Sequence, residues 1–135
     1  MLLEVPYDPY LVHLFQGEEF LHSARLWTNG YNFYMPNKNY CSHNYGRKNE
    51  KKSWNDHTSW KKHENNALLR LKYILGLVNK DNIKNKNYLK YIENYGLGKV
   101  RTLKEYENFS GIDLKNKKTK NLCNKSYSYD TKNWS

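Results

Sequence analysis

Residues 15–47 read FQGEEFLHSARLWTNGYNFYMPNKNYCSHNYGR, and the order of residue types in this stretch decides how the rest of the chain is read. Phe20, Ala24 and Trp27 recur at four- and three-residue steps with Leu21 beside them, the spacing of one apolar face on a helix. Glu18 and Glu19 stand in what would be its first turn, where the helix dipole favours negative charge, and Gly30 supplies a stop. The spacing predicts a helix from about Glu18 to Thr28. Beyond it the aromatic run Tyr31 to Met35 ends at Pro36 and predicts a short strand, and Tyr40 to Tyr45 predicts a second. The stretch closes on an imidazole, a phenol and a guanidinium: His43, Tyr45 and Arg47.

These side chains suggest chemistry as well as packing. Glu18 follows Gly17, and a glycine there lets another backbone or a ligand approach closely. A carboxylate so placed can accept hydrogen bonds from sugar hydroxyls. Both acids could equally do no more than cap the helix and offset its dipole, Glu19 above all. His43 is either a packed or exposed residue or a ligand that binds a divalent metal through a neutral ring nitrogen. Arg47, four residues on, could meet phosphate through its planar fork. A metal ligand and an arginine close together would suit a nucleoside diphosphate.

Working outward, Pro6 and Pro9 make the amino terminus an extended or turning entry, since each biases its predecessor away from helix. From Arg47 to His63 the chain is polar, a long loop pinned by Trp54 and Trp60. Leu68, Leu71, Leu75 and Val78 then form an apolar stripe that predicts a helix from Glu64 to Val78. Asn79 to Lys86 reads as loop, and Tyr88 to Tyr95 as a short helix stopped by Gly96. Thr102 and Glu105 match a capping box that opens another short helix ending near Gly111. Past Leu114 there is no periodicity. The expected organisation is a domain over residues 1–114 and a Lys/Asn-rich mobile tail over residues 115–135.

Composition sets the outer limits. A chain of 135 residues is one modest domain or part of a larger one. Only 38% of residues are hydrophobic, but 16% are aromatic, with thirteen Tyr and four Trp, which argues against disorder. The net charge of +10 rests on nineteen Lys against four Arg, scattered among Asn. Such a pattern is the mark of tolerant surface positions in a biased composition rather than of a nucleic-acid interface. Cys41 and Cys123 lack C-x-x-C spacing, so reduced thiols are expected. The amino terminus has no basic n-region, and no window approaches the roughly 20 apolar residues of a membrane span. A cytoplasmic location without membrane contact is the expectation.

The stretch YDPYLVHLFQGEEFLHSARLWTNGYNFYMP followed by HNYGR resembles the C-terminal half of a known catalytic domain. That domain belongs to the N-acetylglucosaminyltransferases that modify hydroxyproline on a ubiquitin-ligase subunit. Their pattern has a DPYL…F-x-GEE stretch, then RLWTHGYD, a proline and H-x-Y-x-R. The similarity continues through ALLRLKYILG and YGLGKVRTLKEYENFSGID and covers roughly Pro6 to Leu114. It implies an α/β fold, the C-terminal portion of a GT-A, Rossmann-like domain with short strands and several helices. It also implies a UDP-GlcNAc donor, a divalent metal (Mn or Mg) and a hydroxyproline-containing protein acceptor. By the same resemblance Glu18 contacts donor-sugar hydroxyls, Glu19 supports that loop or the acceptor, His43 completes the metal shell, and Arg47 lies near the diphosphate. Trp27 and Tyr31 would pack the site wall.

Three positions depart from the pattern: Asn29 and Asn32 replace the usual His and Asp, and Gln16 replaces an apolar residue. No D-x-D or D-x-H motif is present, because Asp8, Asp56, Asp81, Asp113 and Asp130 all lack that spacing. The chain thus reads as a fragment or degenerate copy lacking the upstream nucleotide-binding half, and its two apolar stripes as surfaces awaiting that half. Two other classes compete with a transferase: a noncatalytic interaction remnant of the same fold, and a basic nucleic-acid-binding module. The second predicts affinity that falls steeply with salt and depends little on His43 or Glu18.

Overall fold

The first helix runs where the apolar spacing puts it. In the computed structural model, which describes residues 3–34, 36–43, 46, 51 and 55–120, helix α1 spans Glu18–Thr28. Its end is a Schellman motif: Gly30 N–H donates to the Trp27 carbonyl at 2.9 Å and Tyr31 N–H to the Leu26 carbonyl at 3.0 Å, with Gly30 at φ +95°. Helix α2 spans Trp60–Ile74, beginning and ending about a turn before the expected range. The same device stops it early. Gly76 N–H donates to the Tyr73 carbonyl and Leu77 N–H to the Lys72 carbonyl, so the chain leaves the helix before Val78.

The two apolar stripes find each other. Leu21 and Ala24 of α1 share one buried cluster with Ala67 and Leu71 of α2, joined by Leu14, Leu75, Ile83, Tyr88 and Tyr106. The expectation that both stripes face outward to a missing half is therefore corrected. Helix α1 is clamped from its other side by helix α4, Leu103–Ser110. There Phe20 meets Tyr106 edge-on at 5.4 Å, and Trp27 stacks on Phe109 at 4.2 Å. The capping box of α4 forms as read: Glu105 N–H donates to Thr102 Oγ1, and Thr102 N–H donates to Glu105 Oε2. The Thr102 N–H and hydroxyl, both donating to Glu105 Oε2, hold that carboxyl below its usual range.

Elsewhere the long-range contacts overrule the local signal. Instead of one helix over residues 88–95 there is a 3-10 turn at Lys86–Leu89 and a separate short α3 at Ile92–Tyr95, with Tyr91 between them at φ +52°. The reason is Arg70. Its Nη1 takes the Tyr88 and Lys90 carbonyls at 2.8 Å each, which pulls them out of any helical ladder. The strand expected over residues 31–35 is likewise absent among its described residues. Tyr31 gives its N–H to the end of α1, and its carbonyl accepts from Arg101 Nη1 at 3.0 Å, so neither group is left for a strand partner. Residues 40–43 carry no strand either. The two strands that do form are β1, Ile112–Asp113, and β2, Lys118–Thr119, antiparallel with Ile112 opposite Thr119. This hairpin reaches into the stretch expected as tail; residues 121–135 and Trp54 lie outside the described residues.

One glycine is required by close approach. The segment after α3 returns across the end of α1, with Gly98 N–H donating to Thr28 Oγ1 at 2.8 Å and Val100 and Arg101 N–H to the Thr28 carbonyl. A Cβ at Gly98 would stand 2.5 Å from the Thr28 carbonyl. Among the described residues no helix is long and apolar enough to cross a membrane.

Candidate functional site

The amino-terminal segment crosses the start of α1 and encloses a cavity of about 280 Å³. Glu18, Glu19, Leu21, His22 and Arg25 line it from the helix; Tyr7, Asp8 and Leu11 line it from the segment. Glu18 is half-buried and Glu19 exposed, so the two acids the sequence singles out enter the same cavity to different depths. Neither acid is tied to a cation in an ion pair among the described residues. Gly17, just before them, sits at φ +103°. The neighbour closest to its missing side chain is Leu71 Cδ1, so here the glycine serves the turn and the packing rather than a ligand.

Two buried arginines give the cavity its shape. Arg70, fully buried, donates from Nε to Asp8 Oδ2 at 2.7 Å and lies over the Tyr10 ring at 4.8 Å. The other Asp8 oxygen accepts from Tyr10 N–H at 3.0 Å. Both Asp8 oxygens are therefore engaged within the protein, and this acid acts as a tie. Arg25 donates from Nη1 to the Pro6 carbonyl at 2.6 Å and from Nε to the Gly96 carbonyl at 3.3 Å, fixing the segment and the end of α3 against α1. Burial depresses its pKa.

His22 is the residue that the sequence reading passed over. It is 8% exposed, stacks on Tyr7 at 4.1 Å with the rings 15° apart, and neither Nδ1 nor Nε2 has a hydrogen-bond partner among the described residues. Burial first, then the positive charge of Arg25, hold its pKa below the ordinary histidine value. The signal was available. Residues 18, 22 and 25 recur at four- and three-residue steps, so they share one face of α1 just as the apolar residues share another.

The other expected site residues stand apart. His43 is exposed and lines neither this cavity nor the next. Arg47 lies outside the described residues. Among the described residues no group of three or more His, Cys, Asp or Glu is disposed to hold a metal ion. Trp27 faces α4, with the Arg101 guanidinium 4.3 Å from its ring, rather than lining the acids' cavity. Tyr31 donates its hydroxyl to Glu4, which raises its pKa.

A second cavity, about 590 Å³, opens beside α2. Phe15, Gln16, His57 and Trp60 line it with Asn55, Thr58, Lys61 and Glu64. His13, held at φ +58°, has its ring 4.6 Å from those of His57 and Trp60. This cavity is wide and bordered by exposed polar side chains, and it holds no buried group in want of a partner.

A family model described as Glycosyltransferase (GlcNAc) matches residues 1–116. No curated protein and no solved structure matches the chain significantly.

Proposed function

This chain belongs to the glycosyltransferase (GlcNAc) family, and on that premise we propose that Glu18 receives the donor sugar in a transfer of N-acetylglucosamine from UDP-GlcNAc to a protein hydroxyproline. A glycosyltransferase needs a sugar donor and an acceptor, and the cavity at the start of α1 suits the sugar. The observation that carries this is the half-buried Glu18 carboxylate in a 280 Å³ cavity whose other walls are tied down by Arg25 and the Asp8–Arg70 pair. A carboxylate in a cavity with fixed walls accepts hydrogen bonds from sugar hydroxyls, and fixing the ring is what brings its anomeric carbon to the acceptor. Glu18 and Glu19 in the lining also disfavour a diphosphate, which supports a nucleotide site elsewhere.

The wider expectations belong to the same proposal: a GT-A arrangement, a cytoplasmic setting, Arg47 beside the diphosphate and His43 toward a divalent metal. His43 and Arg47 enter it on the resemblance of their motif alone.

Glu18→Gln keeps the size of the side chain and removes its charge. With the nucleotide-binding half that the resemblance implies supplied, transfer from UDP-GlcNAc to a hydroxyproline peptide should fall by about tenfold to a hundredfold, the worth of a hydrogen bond to a charged group. UDP affinity should hold, and Glu19→Gln, at the exposed rim, should do less. If both variants lose UDP affinity equally, the pair serves folding and the assignment is wrong.

A further inference from the structure

One buried group of the cavity has no task in that reading. His22 lies one helical turn beyond Glu18, nine-tenths buried, lining the same cavity, with both ring nitrogens unpartnered. A buried imidazole with neither nitrogen satisfied is unfavourable unless something supplies the missing bonds. No described residue supplies them: the Tyr7 ring stacks on the His22 ring at 4.1 Å, and neither nitrogen has a hydrogen-bond partner among the described residues. We propose that His22 is a direct hydrogen-bonding partner of the sugar bound at Glu18, and that it selects a neutral polyhydroxylated ring over an anionic ligand. The inference rests on the reading that this cavity takes the donor sugar.

The donor and acceptor inventory of the lining supports it. Glu18 and Glu19 can only accept. Both Asp8 oxygens and the Nε and Nη1 of Arg25 already have protein partners. His22 is kept neutral by burial and by Arg25, so one ring nitrogen donates and the other accepts. A sugar hydroxyl both donates and accepts. It can give its proton to Glu18 and take one from His22, and adjacent hydroxyls on a ring can satisfy both groups together. A phosphate oxygen can only accept; it would meet His22 and the remaining Arg25 N–H groups, and Glu18 and Glu19 would repel it. Selection therefore comes from the pairing of an acceptor-only group with a group that can donate.

The test follows the 15N resonances of the His22 imidazole in the full chain during titration with N-acetylglucosamine, with UDP and with magnesium ion, each alone. The sugar should shift them, and UDP or magnesium should not. His22→Phe retains the stacking on Tyr7 and deletes both nitrogens. It should weaken N-acetylglucosamine binding by about tenfold, while the melting temperature holds or rises because no orphaned polar group remains. His22→Gln, which can donate and accept, should stay within about threefold of the wild type.

Unchanged sugar affinity in His22→Phe overturns the proposal, as does a His22 shift caused by UDP or magnesium. Loss of sugar binding in Glu18→Gln but not in His22→Phe would leave the function reading standing and sink this one. The reverse pattern would keep His22 as the sugar ligand and remove Glu18. A wild-type imidazole unmoved by saturating sugar would refute both.

Discussion

Arg70 and His22 are both buried polar side chains within contact of the amino-terminal segment, yet the fold treats them in opposite ways. Around Arg70 the chain gathers the Asp8 carboxylate, the Tyr88 and Lys90 carbonyls and the Tyr10 ring, leaving only Nη2 without a partner. Around His22 it gathers a stacked tyrosine and a cavity, and neither nitrogen is satisfied. A charge cannot be buried unpaired at tolerable cost, so Arg70 must be completed by the protein itself. A neutral imidazole can be left incomplete at the smaller cost of desolvating its two ring nitrogens. The first region is scaffold, and the second keeps capacity for something outside the protein.

The comparison can be broken most forcefully at Arg70. Arg70→Ala strands the buried Asp8 carboxylate and two carbonyls, and should cost about 3–5 kcal/mol of folding stability. Denaturant unfolding measures it. A loss below about 1 kcal/mol would mean that water reaches this nest and that it is not scaffold. Arg25 belongs to both regions, because it lines the cavity and also ties down the Pro6 and Gly96 carbonyls. Arg25→Ala should therefore lose about 1.5–3 kcal/mol, the worth of hydrogen bonds from a charged donor. It should also loosen sugar binding as the segment carrying Tyr7 shifts. Unchanged sugar affinity in a destabilised variant would separate the cavity from the scaffold more sharply than the structure does.

The smallest effect sharpens the His22 side. Its folded-state pKa is lowered, so the unfolded chain binds a proton more readily. Stability from this group is then fully present above the unfolded value of about 6.5 and is lost as pH falls through the folded pKa. His13 is shifted in the same direction, by burial and by His57 and His63. Stability should decline on the acid side of neutrality, and in His22→Phe that decline should be shallower but not abolished. Melting curves between about pH 7.5 and 5 read it. An identical slope in the variant would show that water, not burial, surrounds the imidazole.

Much of the local architecture was legible. Helix α1, its glycine stop and the Thr102–Glu105 capping box all follow from residues within a turn of one another, and the structure reproduces them. The short helix over residues 88–95 was misread because its own sequence carries no trace of Arg70, 18 positions upstream. The strand over residues 31–35 was misread for a like reason: aromatic content describes a surface to be packed, while a ladder needs a free partner, and Arg101 takes the Tyr31 carbonyl first. Glu18 and Glu19 stand at the helix start, as their spacing predicts, and line the cavity there. His22 shares their helix face, but its burial under Tyr7 is made by the amino-terminal segment and is not written within a turn of α1.

What the sequence alone determined is therefore part of what contacts three to five residues apart carry: the bounds of α1, the capping box that opens α4, and which acids open α1, while α2 lies about a turn ahead of its apolar stripe. Backbone hydrogen bonding and side-chain spacing within one turn are sufficient for that. Only the tertiary structure decided that Asp8 is a tie and not a ligand, that the two apolar stripes cover each other, and that His22 is buried without a partner. Those outcomes depend on the return of the amino-terminal segment across α1 and on a pair 62 residues apart, Asp8 and Arg70. A group's chemistry is set by what the fold brings against it, and burial and partnership at such separations exist only once the chain has closed on itself.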